Sequence, residues 1–270
     1  MINFKLKEID KITPFGRGSE AYLSWFGLTD GDLWLQFENE TIYEYSKEAL
    51  VHFGNRTAPY NDYYLVRFIE DFCDLFDSIS ESIPEALFHL TKDLKKFRFD
   101  SKEWLHLKEN EDENISFEEY QRLIYWIDER TLSSGHLIGG PHLSFFRSDE
   151  KLRIVWDTEY VLDNGISLWT AKNGYLEMNY QEFTSKIRAF GLDFFAEMDK
   201  QVELTVAKEW GAVKVDKQKL VEEHQNRKAD YFTTLGLLES ERAKKTIWKE
   251  TEDLFLKMSQ ELDILKKVTP

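Results

Sequence analysis

The chain has 270 residues, of which 42% are hydrophobic, and its 50 acidic and 35 basic residues give a formal net charge of −15. This length and apolar content suit one large domain with a full core, or one domain with an appendage. The negative charge argues against a nucleic-acid binder and against a protein of anionic membrane surfaces, because both depend on a basic surface.

A single cysteine, Cys73, leaves no internal disulfide and no multi-cysteine metal site. It falls within an apolar helical pattern, which indicates a small buried side chain rather than a nucleophile. The segment Met1–Lys5 does not join a charged region to an apolar run, as a secretory signal would. No stretch has the length and hydropathy of a transmembrane helix. Together these features predict a cytoplasmic protein.

The first elements along the chain are predicted to be strands. Residues 21–28, 33–37 and 41–45 are apolar and aromatic, with acidic and glycine-containing turns between them, which is typical of an antiparallel meander. Ser46 follows directly and has the residue type of a helix N-cap. It predicts a short helix that ends at about His52.

From residue 61 the spacing of apolar residues becomes helical. Apolar side chains recur every three or four residues and predict a helix over 61–79. Capping boxes at Ser82 and Ser116 predict two more helices, over 82–97 and 116–130.

The chain then returns to strands before one long helix. Strands are predicted over 143–147, 151–156 and 166–170. The dipeptide Asn173-Gly174 indicates a further hairpin turn. A capping box that begins at Asn179 predicts a helix over 180–210.

The C-terminal part of the sequence differs in composition and in the spacing of its apolar residues. Residues 216–235 are rich in lysine and glutamate and are predicted to be exposed, whereas 240–267 has the apolar heptad spacing of a packed helix. We expect this last helix to pack on the 180–210 helix, with self-association through 240–267 as the alternative. The predicted fold class is therefore α+β: antiparallel strands covered by helices form a core domain over 1–210, and a helical extension covers 211–270.

Acidic residues are concentrated in one part of the chain. Residues 61–120 contain 16 acidic and 7 basic residues, whereas 211–270 contain 11 and 12. The candidate partner-binding carboxylates are Glu70, Asp74, Asp77, Glu81, Glu109, Glu111, Asp112 and Glu113. The first four follow at steps of four, three and four, so they share one helix face, where like charges repel by a few tenths of a kcal/mol per pair. Such a face predicts a basic protein partner, with simple solvation as the alternative.

A second candidate site lies between Trp126 and His142, where charged side chains and imidazoles adjoin three glycines and a proline. Asp128, Arg130, His136 and His142 could converge there, with Arg130 binding a small anion and His136 exchanging protons. In the structural alternative, which we prefer, Arg130 pairs with a local carboxylate, His136 caps a carbonyl and the glycines form a tight turn.

The same segment gives no support to a metal or a cofactor. Two histidines six residues apart, without cysteine, do not match a zinc motif. The glycines do not follow the spacing of dinucleotide-binding or phosphate-binding loops.

Several short motifs resemble an uncharacterised bacterial family that is classed as a domain of unknown function. The segments that carry the resemblance are Trp25–Gly31, Pro59–Tyr64, Asp128–Leu132, Ser134–Leu137, Gly140-Pro141 and Trp169–Ala171. The resemblance covers about residues 5–205, and the tail after 211 looks like an addition. It implies no established activity. In size and acidity the chain is also similar to immunity proteins of bacterial toxin systems, which is an analogy rather than a motif match.

Three functions follow from these patterns. The preferred one is a cytoplasmic binding protein that occludes a basic, toxin-like partner through its carboxylates. The second is an enzyme that acts on a small anionic metabolite with Arg130 and His136. The third is a scaffold that binds another chain through 240–267.

Overall fold

The computed structural model describes residues 1–54, 58–108, 113–240 and 246–268. Its strands are β1 Ile2–Leu6, β2 Tyr22–Leu23, β3 Asp30–Phe37, β4 Glu40–Ile42, β5 Asn61–Tyr64, β6 Thr131–Ser133, β7 His142–Ser148, β8 Lys151–Asp157, β9 Gly174–Asn179 and β10 Lys214–Val215. Its helices are α1 Trp25–Leu28, α2 Lys47–His52, α3 Leu65–Cys73, α4 Phe76–Ser80, α5 Glu85–Leu90, α6 Leu94–Leu107, α7 Glu113–Asp128, α8 Tyr180–Ala207, α9 Lys217–Glu239 and α10 Trp248–Val268. The two four-stranded sheets are antiparallel and lie among helices, which confirms the α+β class.

The first sheet is organised around β3, which pairs with β1, β4 and β5. Alternate residues of β3 are buried, so one face of the sheet lies on the core. The predicted hairpin over 33–37 and 41–45 is confirmed as β3 and β4. Of the strand predicted over 21–28, only Tyr22–Leu23 is a strand, β2, because the Ser24 side chain accepts a hydrogen bond from the Gly27 backbone N–H and starts the short helix α1.

The second sheet has the order β6–β7–β8–β9. The strands predicted over 143–147 and 151–156 are confirmed as β7 and β8. The strand over 166–170 and the turn at Asn173-Gly174 are wrong. The Asn173 side chain accepts a hydrogen bond from the Thr158 backbone N–H at 2.8 Å, and β9 begins directly after it.

Two predicted helices follow their local signals closely. Ser46 caps α2 by accepting from the Ala49 N–H at 3.0 Å. Asn179 caps α8 in the same way, and α8 ends at Ala207. Each signal lies within one turn of the helix that it starts, so distant residues do not change its effect.

The helices predicted over 61–79, 82–97 and 116–130 are present but differ in extent. Residues 61–64 pair with β3 as strand β5, and the remainder divides into α3 and α4. Ser82 does not cap a helix, because its hydroxyl accepts from the Asp149 N–H at 2.9 Å. The third helix, α7, begins at Glu113 and encloses Ser116 within it.

Two apolar clusters hold these layers together. The larger lies between the sheets and α3, α8 and α9, and the smaller lies among α5, α6, α7 and α10. Within the described ranges, no helix is long and apolar enough to cross a bilayer.

The helices beyond residue 210 pack on the rest of the chain. α9 lies along α8 and buries Leu220, Tyr231 and Leu235 in the larger cluster, so the predicted exposure of 216–235 is correct only for the side of the helix that faces away from the core. α10 packs on α6 and α7, not on the 180–210 helix as predicted. Its heptad seam therefore contacts the smaller cluster, where Met258 is buried.

Candidate ligand-binding cleft

Arg130 lies in a closed internal ion pair. Its side chain is fully buried, with Nη2 donating to the Glu81 carboxylate at 2.7 Å and Nη1 to the Trp126 carbonyl at 2.9 Å. The Thr246 hydroxyl also donates to Glu81 at 2.9 Å. The prediction that Glu81 binds a partner is therefore wrong. Glu81 follows the last residue of α4, and its side chain is buried there and not on the surface.

The other members of the predicted catalytic group lie apart from Arg130. Asp128 pairs with Arg98 at the surface at 2.7 Å, and His142 is exposed at the start of β7. His136 contacts the Tyr63 and Phe68 rings, and burial lowers its pKa although Asp71 acts in the opposite direction. The predicted convergence is therefore wrong, because Asp128 ends α7 and His142 begins β7, while only His136 lies in the turn between β6 and β7.

The glycines of this segment lie in the turn that joins β6 and β7 of the second sheet. Gly139 has a φ of +57°, and a Cβ at Gly140 would overlap the Ser134 carbonyl. Trp169 donates to the Gly139 carbonyl at 2.6 Å, and the Tyr43 and Ser134 hydroxyls are hydrogen-bonded at 2.6 Å. The glycines thus act as the structural alternative expects, although His136 does not cap a carbonyl.

The predicted acidic face is only partly an open surface. Asp74 is exposed and Asp77 is half-buried, while Glu70 forms an ion pair with Arg227. Glu113 is the first residue of α7. The remaining three predicted residues, Glu109, Glu111 and Asp112, lie outside the described residues.

Two of these carboxylates line a cleft of about 200 Å³ between α3, α8 and α9. Aromatic side chains form its floor: Trp25, Phe194, Phe195 and Tyr231. Glu70, Asp74 and Asp230 line it together with Arg227. An aromatic floor with carboxylates at its edge suits an organic cation, since such a cation is attracted both by ring faces and by negative charge.

Arg227 already shows how the cleft holds a cation. Its guanidinium lies 4.7 Å from the centre of the Trp25 ring and is ion-paired with Glu70. Its Nε donates to Glu223, one helical turn earlier, at 2.9 Å. Among the described residues, Asp74 and Asp230 make no ion pair that would neutralise them.

A hydrogen-bond chain fixes the Trp25 ring at the floor of the cleft. The indole Nε1 donates to His224 Nδ1 at 3.1 Å, and His224 Nε2 lies 2.7 Å from the Asp199 carboxylate. An indole N–H can only donate, so Nδ1 must accept and Nε2 must carry the proton. Burial raises the pKa of Asp199, but hydrogen bonds from Lys228 and His224 outweigh it and lower the pKa overall.

The sequence patterns do not predict the part of the cleft that α9 contributes. Leu220, His224, Arg227, Tyr231 and Leu235 follow at steps of three or four, which is a helical stripe. The polar members of the stripe concealed it, because a stripe is normally recognised by apolar side chains alone. No described group of three or more His, Cys, Asp or Glu side chains is arranged to hold a metal ion.

Cys73 lines the same cleft and is expected to be unreactive. Burial, with smaller contributions from Asp74 and Glu70, raises the pKa of its thiol to about 12. Because only the thiolate is a nucleophile, we expect iodoacetamide to alkylate Cys73 in the folded protein at pH 8 about 100-fold more slowly than in urea. Equal rates in the two states, measured by mass spectrometry, would show that the thiol is accessible and ionised.

The sequence profile of a family of unknown function (DUF5984) matches residues 1–254, and the chain belongs to that family. The match confirms the resemblance to an uncharacterised family. It runs beyond residue 205 and includes all of α9, so the family match does not treat residues 211–254 as an addition. No curated protein and no solved structure matches the chain significantly.

Proposed function

We propose that this member of the family is a binding protein for a basic partner protein, and that a lysine or arginine side chain of the partner enters the cleft between α3 and α9. The observation that carries the proposal is the position of Arg227, whose guanidinium lies on Trp25 and pairs with Glu70. The cleft thus has the groups that bind a guanidinium, and it has two further carboxylates, Asp74 and Asp230, to bind a second cation.

The overall charge supports the same proposal at longer range. A protein of net charge −15 attracts a basic partner before contact and increases the rate of encounter, an effect that salt weakens. In its narrower form, the partner is a toxin in the same cytoplasm, and binding occludes the basic active site of that toxin. Size and acidity support this narrower form, whereas the cleft supports the broader one.

The matching test uses a tri-arginine peptide as the probe and measures its affinity by isothermal titration calorimetry. The cleft variant combines Glu70→Gln, Asp74→Asn and Asp230→Asn. We expect it to bind at least about tenfold more weakly than the wild type, because charge-assisted contacts are lost. Arg227→Gln should bind more tightly, since it removes the internal competitor for Glu70.

Two controls separate the cleft from general electrostatics. The first variant removes three exposed carboxylates elsewhere, by Glu38→Gln, Asp193→Asn and Glu203→Gln, and should change the affinity by no more than about threefold. The second control is a tri-citrulline peptide, which has the shape of the probe but no charge, and it should not bind. Equal losses in the two triple variants, or binding of citrulline, would contradict the proposal.

A further inference from the structure

Five exposed apolar side chains, here called the apolar patch, gather around the turn between β6 and β7. They are Val51, Phe53, Ile138, Tyr160 and Val161. Ile138 is the most exposed, at 69%. Large apolar side chains scattered singly on a surface need no explanation, but a contiguous group of them is typical of an interaction site.

Two sets of contacts bring together the segments that carry the patch. His52, between Val51 and Phe53, is hydrogen-bonded to Asn164 of the 157–165 segment at 3.3 Å, and the buried Trp169 links the Gly139 turn to Tyr45. Ile138 precedes Gly139, whose backbone lies against the Tyr160 ring. The Gly139 carbonyl accepts the indole hydrogen bond of Trp169. Trp169 in turn stacks on Tyr45 at 4.6 Å, and Tyr45 contacts Phe53 at 5.9 Å.

Hydrogen bonds from buried side chains restrain the turn that carries Ile138. The hydrogen bond from Trp169 and the Tyr43–Ser134 hydrogen bond both restrain this turn. Gly140 lies so close to Ser134 that no larger side chain fits at position 140. A turn restrained in this way keeps an isoleucine in solvent without any packing benefit within the chain. The motif that the sequence made prominent therefore builds a fixed apolar surface and not a catalytic centre.

Charge around the patch indicates what covers it. The segment 157–165, which carries Tyr160 and Val161, has three acidic residues and no basic one, and one of the three, Glu159, is paired with Lys95. On α2 the exposed Glu48 beside Val51 is offset by the exposed Lys47, so the net negative charge around the patch comes from 157–165. A second copy of this chain would bring the same acidic groups to the contact, and the net charge of −15 opposes such pairing. We infer that the apolar patch docks a protein segment with an apolar anchor between basic flanks, an interaction surface separate from the cleft.

The probe for this surface is a peptide with a Leu-Phe-Leu centre and two lysines on each side, added to ¹⁵N-labelled protein in an NMR titration. We expect the amide signals of Ile138, Tyr160 and Val161 to shift. Ile138→Ser should weaken binding about tenfold, because an exposed anchor is lost while the core is untouched. Leu192→Ser, which changes an exposed leucine on α8 far from the patch in sequence, should leave the affinity unchanged.

Three results would overturn the inference. The first is an equal affinity for the peptide in which glutamates replace the lysines, since charge would then have no role. The second is the absence of binding, or shifts confined to the cleft residues Asp74 and Asp230. The third is a wild-type dimer in analytical ultracentrifugation that Ile138→Ser dissociates, because the patch would then bind a second copy. Circular dichroism confirms that both serine variants are folded.

Discussion

Replacement of Arg130 by methionine should lower the free energy of unfolding by about 3–5 kcal/mol, because it leaves the Glu81 carboxylate buried without its partner. Glu81 is only 5% exposed and Arg130 is fully buried, so water cannot replace the lost ion pair. The donors on Thr246 remain, but they do not neutralise the charge. Urea denaturation followed by tryptophan fluorescence measures the difference.

The matched control is Arg98→Met, which breaks an ion pair on the protein surface. Arg98 and Asp128 are 38% and 48% exposed, so we expect a loss of only about 0–1 kcal/mol. The double variant Glu81→Gln with Arg130→Met should regain much of the lost stability, since no charge stays buried. If Arg130→Met is no more harmful than Arg98→Met, the internal ion pair does not contribute to stability.

The Glu81–Arg130 ion pair also joins distant parts of the chain. Thr246 precedes α10, and the Arg130 guanidinium lies 5.3 Å from the centre of the Trp248 ring. Loss of Arg130 should therefore loosen α10 before the larger core. Since α10 does not contact the cleft, we expect the affinity of the folded Arg130→Met protein for tri-arginine to be unchanged.

The second large effect is expected at Gly191, where α8 and α9 are in close contact. A Cβ at this position would overlap the buried Tyr231 ring. That ring cannot move freely, because its hydroxyl donates to the Ile187 carbonyl at 2.9 Å. Gly191→Ala should thus destabilise the fold by about 1–3 kcal/mol, measured by urea denaturation.

Gly236 provides the opposite case within α9. Apart from its two chain neighbours and the backbone of α9 itself, no atom lies within 4 Å of the position that its Cβ would take. Because alanine is the better helix former, Gly236→Ala should stabilise the protein by up to about 1 kcal/mol. If Gly191→Ala and Gly236→Ala change the free energy of unfolding in the same direction, then helix propensity, and not the α8–α9 contact, governs stability at both sites.

Local signals in the sequence predicted several elements correctly. The caps of α2 and α8 act within one helical turn, and β7 and β8 are adjacent strands joined by a short turn. The apolar stripe of α3 also follows from its spacing, because any helix with that stripe buries it. These elements depend on neighbours in the sequence, so they can be inferred from it.

Other segments depend on partners far along the chain. Residues 61–64 form a strand because they pair with β3. β1 also forms by pairing with β3, so its own sequence does not predict it. α9 has a polar composition, yet α8 and the larger core bury one side of it. Propensity and periodicity do not contain this information, since tertiary contacts override them.

The same distinction between local signals and tertiary contacts applies to the candidate site. The fold class, the concentration of carboxylates and the spacing of Glu70 and Asp74 by one helical turn follow from the sequence alone, although α3 ends before Asp74, which is its C-cap. Two features arise only in the folded chain: Glu81 pairs with Arg130, 49 residues away, and Trp25 meets Arg227 in a cleft. This difference arises because charges near each other in the sequence interact through local geometry, whereas the burial and pairing of a charge depend on which distant segments fold against it.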